Sequence, residues 1–123
     1  MRAWGGIASL QFALPLVWSE ACARGFGPEA VARWMSRAPA AQVGLSGRKG
    51  AVSVGCDADL VVWDPDEPVR VEVASTFHRH PVSPYEGREL RGRVCRTILR
   101  GRVVYDEGRF VNEAEGRMIA ASF

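Results

Sequence analysis

The sequence predicts a mixed α/β chain in which helices come first and short strands follow. Apolar residues recur at helical spacing over residues 1–47, whereas β-branched residues and tight-turn dipeptides dominate the remainder. A hydrophobic content of 47% combined with 24% charged residues is typical of a folded protein, so disorder is excluded as the main state of the chain.

The first helix is predicted from an apolar stripe at helical spacing. The stripe comprises Ile7, Leu10, Leu14, Val17, Trp18 and Ala21. Pro15 lies inside it, so either the helix kinks there or a new helix begins with Pro15 in its first turn. Gly25 is suited to the left-handed conformation that ends many helices.

A second helix is predicted to begin at Pro28 and Glu29, because a proline and an acid favour the first turn. Pro39 is expected to close it, since proline cannot continue a helix without losing a hydrogen bond, and one more short turn of helix is left open over residues 39–45. We expect the buried side of this helix to be formed by Val31, Trp34, Met35 and Ala38.

Two strands are predicted in the middle of the chain. Residues 60–63 form a short apolar run that Asp64-Pro65 should end. Val69, Val71 and Val73 alternate with charged residues, which is the pattern of a strand with one solvated face.

A hairpin is predicted further along the chain. Arg100-Gly101 separates strands predicted over 94–99 and 102–105, a spacing that suits a two-residue turn. Phe110-Val111 adds a last short strand. A few helices and a few short strands leave apolar faces and strand edges without partners. The sequence therefore reads as the end of a longer protein.

Charge and composition exclude several classes of partner. The net charge is only +2, which gives no general attraction to nucleic acid or to anionic membranes. An arginine cluster over 88–102 has Glu86 and Glu89 beside it and few aromatic residues for base stacking, so a solvated sheet face is favoured.

No apolar run reaches the roughly 20 residues of a membrane span, and no secretory signal is recognisable. Three scattered cysteines indicate small apolar residues in a reducing compartment, so a cytoplasmic location is expected.

Three stretches of the sequence resemble a known enzyme family. The first is Ala3-Trp4-Gly5-Gly6-Ile7-Ala8-Ser9-Leu10-Gln11, the second runs over 47–64 with Lys49-Gly50 and Asp57-Ala58-Asp59, and the third joins His78-Arg79-His80 to Ser83-Pro84-Tyr85-Glu86-Gly87. The second stretch is similar to the signature near the C-terminus of the amidohydrolase superfamily. The first and third resemble allantoinases most closely within that superfamily.

This resemblance implies a fold class and a domain division. The chain would be the C-terminal portion of a metal-dependent hydrolase built on a (β/α)8 barrel with a small composite β-sandwich. Residues 1–47 would supply the last barrel loop and the terminal helices. Residues 48–123 would supply the C-terminal part of the sandwich.

The resemblance also implies an activity for the complete enzyme, namely hydrolysis of allantoin to allantoate in purine catabolism. Such enzymes use a binuclear zinc centre with a carboxylated lysine, act on a small cyclic ureide and are often homotetramers. All the family's metal ligands would precede Met1. We therefore expect no catalytic and no metal-binding residue here, no activity from the isolated chain, and exposed apolar surface at Trp18, Trp34 and residues 60–63.

Two other interpretations remain open. The chain could be a truncated, non-enzymatic product that needs a partner to complete its fold. It could also come from the dihydropyrimidinase and hydantoinase branch, whose corresponding loop usually has asparagine where this chain has Trp4-Gly5.

The resemblance assigns a substrate-binding role only to Trp4, Gly5 and Gly6. In the family, backbone groups of this loop face the amide of the substrate ring, and glycines permit that close approach. The alternative is a tight turn before the first helix.

Two further pairs have chemical spacing. His78 and His80 match a His-x-His ligand pair, but hydrogen bonding that fixes a loop is favoured, because the sequence has no other histidine to complete a site. Asp57 and Asp59 suit a general acid and base on a strand. Capping of backbone amides at the turn before residues 60–63 is the favoured interpretation.

Overall fold

The computed structural model describes residues 7–111 and 116–119. A 3-10 turn over Leu10–Phe12 leads into helix α1, Ala13–Ala23. Pro15 therefore lies in the first turn of α1, as the second of the two predicted alternatives requires. Gly25 ends the helix with φ +78°. The Gly25 N–H donates to the Cys22 carbonyl and the Phe26 N–H to the Ala21 carbonyl, which satisfies carbonyls that the helix end leaves free.

The second helical segment does not stop at Pro39. It runs as α2, Pro28–Ala32, a π-helical turn, Arg33–Arg37, and α3, Ala38–Gln42. Pro39 lies in the first turn of α3, where its missing N–H costs little.

The predicted buried side of this segment is wrong in part. Val31 is buried, but Trp34 and Met35 are 38% and 36% exposed, and Ala38 is exposed while Ala40 is buried. The π turn adds a residue to one turn of helix and so rotates the residues after it relative to the predicted face.

The strands form one antiparallel sheet in sequence order. They are β1, Leu60–Arg70; β2, Glu89–Leu99; β3, Arg102–Asp106; and β4, Arg109–Phe110. The predicted hairpin turn is confirmed, with Arg100 at φ 49° and Gly101 at φ 82°. Two positive φ values are what a type I′ turn requires. The strand predicted at Val73 is wrong, because Val73–Ser75 forms a 3-10 turn.

Strand β1 continues through the dipeptide that was expected to end it. Asp64 pairs with Arg93 and Pro68 with Arg91, so residues 65–67 lie opposite Gly92 in a bulge. The Asp64 Oδ1 atom accepts hydrogen bonds from the N–H groups of Asp66 at 2.9 Å and Glu67 at 3.2 Å. This Asx turn satisfies amides that the bulge removes from the ladder.

Helix α1 lies on strand β2 and buries two apolar clusters. Trp18 and Ala21 pack with Val31, and the Trp18 ring meets the Trp63 ring edge to face at 5.2 Å. The Trp18 Nε1–H donates to the Pro65 carbonyl at 2.8 Å. Trp18 is 6% exposed, so the exposure expected of it is wrong. The exposure expected of Trp34 and of the 60–63 strand is confirmed, with Trp34 at 38%, Val61 at 48% and Val62 at 49%. The second cluster consists of Phe12, Val71 and Leu90.

Gly92 makes the first cluster possible. Its φ is +98°, and a Cβ atom there would lie 2.8 Å from Trp18 Cδ1 and 3.3 Å from the Trp63 ring. A side chain is therefore excluded by both the backbone conformation and the two tryptophans.

Candidate functional site

The Lys-Gly and Asp-Ala-Asp motifs meet in one ion cluster. The Lys49 ammonium lies 2.7 Å from a carboxylate oxygen of Asp57 and is also hydrogen-bonded to Asp59, while Arg48 Nε lies 3.0 Å from Asp57. The other oxygen of Asp59 accepts the backbone N–H of Arg100 at 2.8 Å. The cluster therefore joins the loop before β1 to the turn between β2 and β3.

These contacts shift the pKa of all three groups towards their charged forms. Hydrogen bonds with Asp57 and Asp59 raise the pKa of Lys49. The hydrogen bond from Lys49 lowers the pKa of Asp57. For Asp59, burial opposes the shift, but hydrogen bonds from Lys49 and the Arg100 amide lower its pKa. Carboxylates held ionised by a lysine are poor proton donors at neutral pH.

Asp59 therefore has a structural role, but the amide that it caps is on the turn after β2 and not on the expected turn before residues 60–63, and Asp57 binds cations. Lys49 is the only lysine in the sequence, and its ammonium is held between carboxylates. Carboxylation of a lysine needs a neutral amine, so Lys49 does not suit the role of a carboxylated metal-bridging lysine.

Gly50, the glycine of the signature, has a separate structural role. Its φ is +85°, and a Cβ atom there would lie 2.7 Å from the Ala40 Cβ and 2.8 Å from the Ser36 carbonyl oxygen. The loop backbone thus lies directly against the second helical segment.

The two histidines do not form a metal centre in the described part of the chain. Both ring nitrogens of His78 are buried and have no hydrogen-bond partner, so the loop-fixing hydrogen bonds expected of it are not made. Its ring instead meets Phe12 edge to face at 6.2 Å. His80 is exposed. Among residues 7–111 and 116–119, no group of three or more His, Cys, Asp or Glu side chains could hold a metal ion.

The arginine cluster is a solvated sheet face, as expected. Arg93 Nε lies 2.7 Å from a carboxylate oxygen of Glu67, and Arg93 also pairs with Glu107. Arg96 Nε lies 2.8 Å from a carboxylate oxygen of Asp106. These pairs neutralise the charges of Arg93 and Arg96.

The predicted substrate-binding residues Trp4, Gly5 and Gly6 lie outside the described residues. The nearest described feature with polar contacts to the second half of the chain is Gln11. Its Nε2 atom donates to the Ser75 carbonyl at 3.2 Å, and its Oε1 atom accepts the Phe77 N–H at 2.9 Å. We call this pair of hydrogen bonds the Gln11 clamp. Residue spacing gives no signal of it, because its partners are backbone groups far away in sequence.

An apolar groove of about 490 Å³ opens beside the clamp, between the start of α1 and the sheet. We call it the open groove. Its lining includes Leu10, Leu14, Met35, Val61, Phe77, His78, Val94, Val104, Tyr105 and Phe110. Several of these side chains are well exposed, with Val61 at 48%, Phe77 at 51% and Phe110 at 59%. Exposed apolar surface of this extent usually marks a face that another domain or protein chain covers.

The ion cluster and Gly50 bring together the motifs that resemble the amidohydrolase signature. A model of the Amidohydrolase family matches residues 24–105, and the chain belongs to this family. No described helix is long and apolar enough to cross a lipid bilayer.

Allantoinases are similar to nearly the whole chain. An allantoinase of Streptomyces avermitilis is 46% identical over 118 residues, which are 96% of this chain and 26% of that protein. An allantoinase of Arabidopsis thaliana is 44% identical over 124 residues, which are 99% of this chain and 24% of that protein. The chain therefore spans about a quarter of the length of the curated relatives it matches.

Solved structures of related hydrolases share the fold. An L-hydantoinase (dihydropyrimidinase) from Arthrobacter aurescens is 30% identical with a TM-score of 0.83, covering 90% of this chain and 25% of that chain. A D-hydantoinase (dihydropyrimidinase) from a Thermus species is 32% identical with a TM-score of 0.81, covering 88% and 24%. The predicted resemblance and fold class are confirmed. The domain boundary at residue 47 stays a prediction.

Proposed function

We propose that this chain forms the C-terminal quarter of a hydrolase that opens the five-membered ring of allantoin to give allantoate. The observation that carries the proposal is the 46% identity to an allantoinase over 96% of the chain. The hydantoinase structures are 30–32% identical over a smaller share of the chain. The larger identity favours allantoin over hydantoin or dihydropyrimidine as the substrate.

The chain's own contribution would be the loop Trp4-Gly5-Gly6, whose backbone would face the amide of the substrate ring, and the sheet that supports this end of the enzyme. Glycines suit such a loop because they let the backbone approach a ligand closely. Holding a ring in a fixed orientation beside the reacting groups is a contribution to catalysis in its own right.

A binuclear zinc centre belongs to this proposal only as a property of the complete enzyme. The described residues do not fit a metal centre, since they contain no suitable group of ligands and the one lysine is ion-paired. The metal ligands and the carboxylated lysine would have to lie in the other three quarters of the enzyme. The proposal also includes a homotetrameric complete enzyme located in the reducing cytosol. The three free cysteines suit that compartment.

The open groove favours a chain that works only when joined to more protein. A folded domain rarely leaves several large apolar side chains on one face of a sheet without a covering layer. The isolated chain should therefore be inactive, and the open groove should be covered when the remainder of the enzyme is present.

A chimera tests the proposal directly. The 118-residue region of the Streptomyces avermitilis allantoinase that matches this chain would be replaced by the present sequence. The purified, metal-loaded chimera would be assayed with allantoin, hydantoin and dihydrouracil, beside the isolated chain. We expect turnover of allantoin by the chimera, much weaker turnover of the other two rings, and none by the isolated chain.

Other outcomes separate the alternatives. Preference for hydantoin or dihydrouracil would favour the dihydropyrimidinase branch. A chimera that folds and assembles but hydrolyses none of the three rings would overturn the proposal and leave a non-enzymatic product that needs a partner. Light scattering on the same sample reports whether the assembly is a tetramer.

A further inference from the structure

We propose that a pocket between α1, the second helical segment and the loop before β2 binds a small organic anion with a planar apolar ring, namely an aromatic carboxylate. The pocket has a volume of about 450 Å³, which is a usual size for a small-molecule site. We call it the aromatic pocket. It shares no described lining residue with the open groove or with the Lys49 cluster, and the inference does not depend on allantoin as the substrate.

The apolar part of the pocket lining is partly aromatic. The rings of Phe26 and Trp34 meet edge to face at 5.1 Å, and these side chains are 46% and 38% exposed. Leu16, Val17 and Ala21 of α1 lie beside them in the lining. Exposed aromatic rings in a concave surface provide faces and edges against which a planar ring packs well.

The polar part of the lining carries more positive than negative charge, because it consists of Arg24, Arg88 and Glu20. The Glu20 carboxylate oxygens lie 3.4 Å from Nη2 of Arg24 and 4.0 Å from Nη2 of Arg88. Among residues 7–111 and 116–119, no other carboxylate pairs with either guanidinium. Both contacts are long and well exposed, so they are weak. A single carboxylate therefore leaves N–H donors on both arginines for a second carboxylate, which a ligand would supply.

The walls of the aromatic pocket are held in place by contacts within the chain. The Phe26 N–H donates to the Ala21 carbonyl at 2.9 Å, which fixes Phe26 at the end of α1. On the opposite wall, the Arg88 N–H donates to the Tyr85 carbonyl at 3.0 Å, and Arg88 Cζ lies 5.7 Å from the centre of the Tyr85 ring. A pocket whose walls are already ordered loses little free energy to ordering when a ligand binds.

The test is an NMR titration of the isotope-labelled, full 123-residue chain with benzoate at neutral pH. Benzamide, which has nearly the same shape without the charge, and acetate, which lacks the ring, are titrated in parallel. We expect benzoate to shift the indole N–H signal of Trp34 and the backbone N–H signals of Phe26 and Arg88. Benzoate should bind at least about fivefold more tightly than either analogue, because it alone uses both the rings and the arginines.

Arg88→Met should weaken benzoate binding about three- to tenfold and leave benzamide binding unchanged, because it removes a charged donor and keeps most of the side-chain length. Arg96→Met is the matched control, because Arg96 pairs with Asp106 and does not line the pocket, and it should bind benzoate like the parent chain. Trp34→Ala should weaken the binding of both ring compounds.

Equal binding of benzoate and benzamide would overturn the proposal, as would equal benzoate affinities of the Arg88→Met and Arg96→Met variants or signal shifts confined to residues outside the pocket. Calorimetric titration of the allantoinase chimera with benzoate adds a second test. Retained binding supports the site in the complete enzyme. Loss of binding by a folded chimera would overturn it, because the rest of the enzyme would then cover this face. A chimera that binds benzoate but does not hydrolyse allantoin would count against the proposed function alone.

Discussion

The two ends of the sheet face that carries α1 differ sharply. At the end formed by the bulge around Gly92, Trp18 and Trp63 meet edge to face and Trp18 is 6% exposed. At the end near the hairpin, Val61 and Phe110 lie in the open groove at 48% and 59% exposure. The same sheet is thus closed by its own helix at one end and left without a covering layer at the other.

This difference shows which part of the core the chain completes alone. The closed end contains the hydrogen bond from Trp18 to the Pro65 carbonyl and the close packing of Gly92 against two tryptophan rings. It also contains the second cluster, to which Phe12 belongs. The open end has edge-to-face contacts among the rings of Phe77, Tyr105 and Phe110, but Phe77 and Phe110 are exposed. Stability should therefore depend strongly on the closed end and weakly on the open end.

Trp18→Ala should produce the largest loss. It removes a buried indole, its hydrogen bond to Pro65 and the contact with Trp63, so we expect a cost of about 3 to 5 kcal/mol in the free energy of unfolding. Trp34→Ala is the control, because Trp34 is 38% exposed, and it should cost about 1 kcal/mol. Urea unfolding followed by circular dichroism measures both. Similar costs for the two variants would contradict the division of the sheet face.

The Lys49 cluster should make a smaller, pH-dependent contribution near the open end. The lowered pKa values of Asp57 and Asp59 mean that their contribution is present above their usual value of 3.8 and is lost as the pH falls through the folded-state values. The raised pKa of Lys49 means that its contribution is lost only as the pH rises above 10.5.

The urea midpoint should accordingly fall as the pH drops below about 4. Lys49→Met should flatten that fall, because the carboxylates then lose the ammonium that keeps them ionised. Arg24→Met removes an ion pair with Glu20 whose side chains are 71% and 62% exposed, and it should leave the profile unchanged. A Lys49→Met profile parallel to the parent profile would show that the cluster does not stabilise the fold.

Val61→Thr should have the smallest effect on the isolated chain. The substitution keeps the β-branched shape on an exposed strand position, so the cost should stay within about 0.5 kcal/mol. In the allantoinase chimera, the same hydroxyl would be buried by the covering layer and should cost about 1 to 3 kcal/mol. Equal costs in the two settings, measured by thermal unfolding, would show that nothing covers the open groove.

Local signals in the sequence were enough for the end of α1 and for the hairpin turn between β2 and β3. Gly25 adopts the predicted left-handed conformation and Gly101 lies in the predicted hairpin turn, because glycine adopts positive φ at little cost. The signature over 47–64 predicted the family, but its ion cluster could not be predicted, since Asp59 caps an amide on the hairpin turn between β2 and β3.

Features set by distant contacts were mispredicted. Asp64-Pro65 was expected to end a strand, yet the chain continues because Gly92 and Trp18 accommodate a bulge there. Met35 was placed on the buried side of the second helix, and the π turn after Ala32 changes the face that it presents. The proposed substrate loop lies outside the described residues, so its role stays a prediction.

The sequential strand order has a consequence for how the chain folds. Each strand pairs with the next one along the chain, so the sheet can form hairpin by hairpin. Two-residue turns join β2 to β3 and β3 to β4, whereas residues 71–88 join β1 to β2, and the cost of closing a loop grows only slowly with its length. Contacts between α1 and β2, by contrast, join residues as far apart as Ser19 and Arg91, separated by 72 positions. Docking of the helix onto the sheet should therefore be the slow step, and Trp18 fluorescence should report it after the strands have paired.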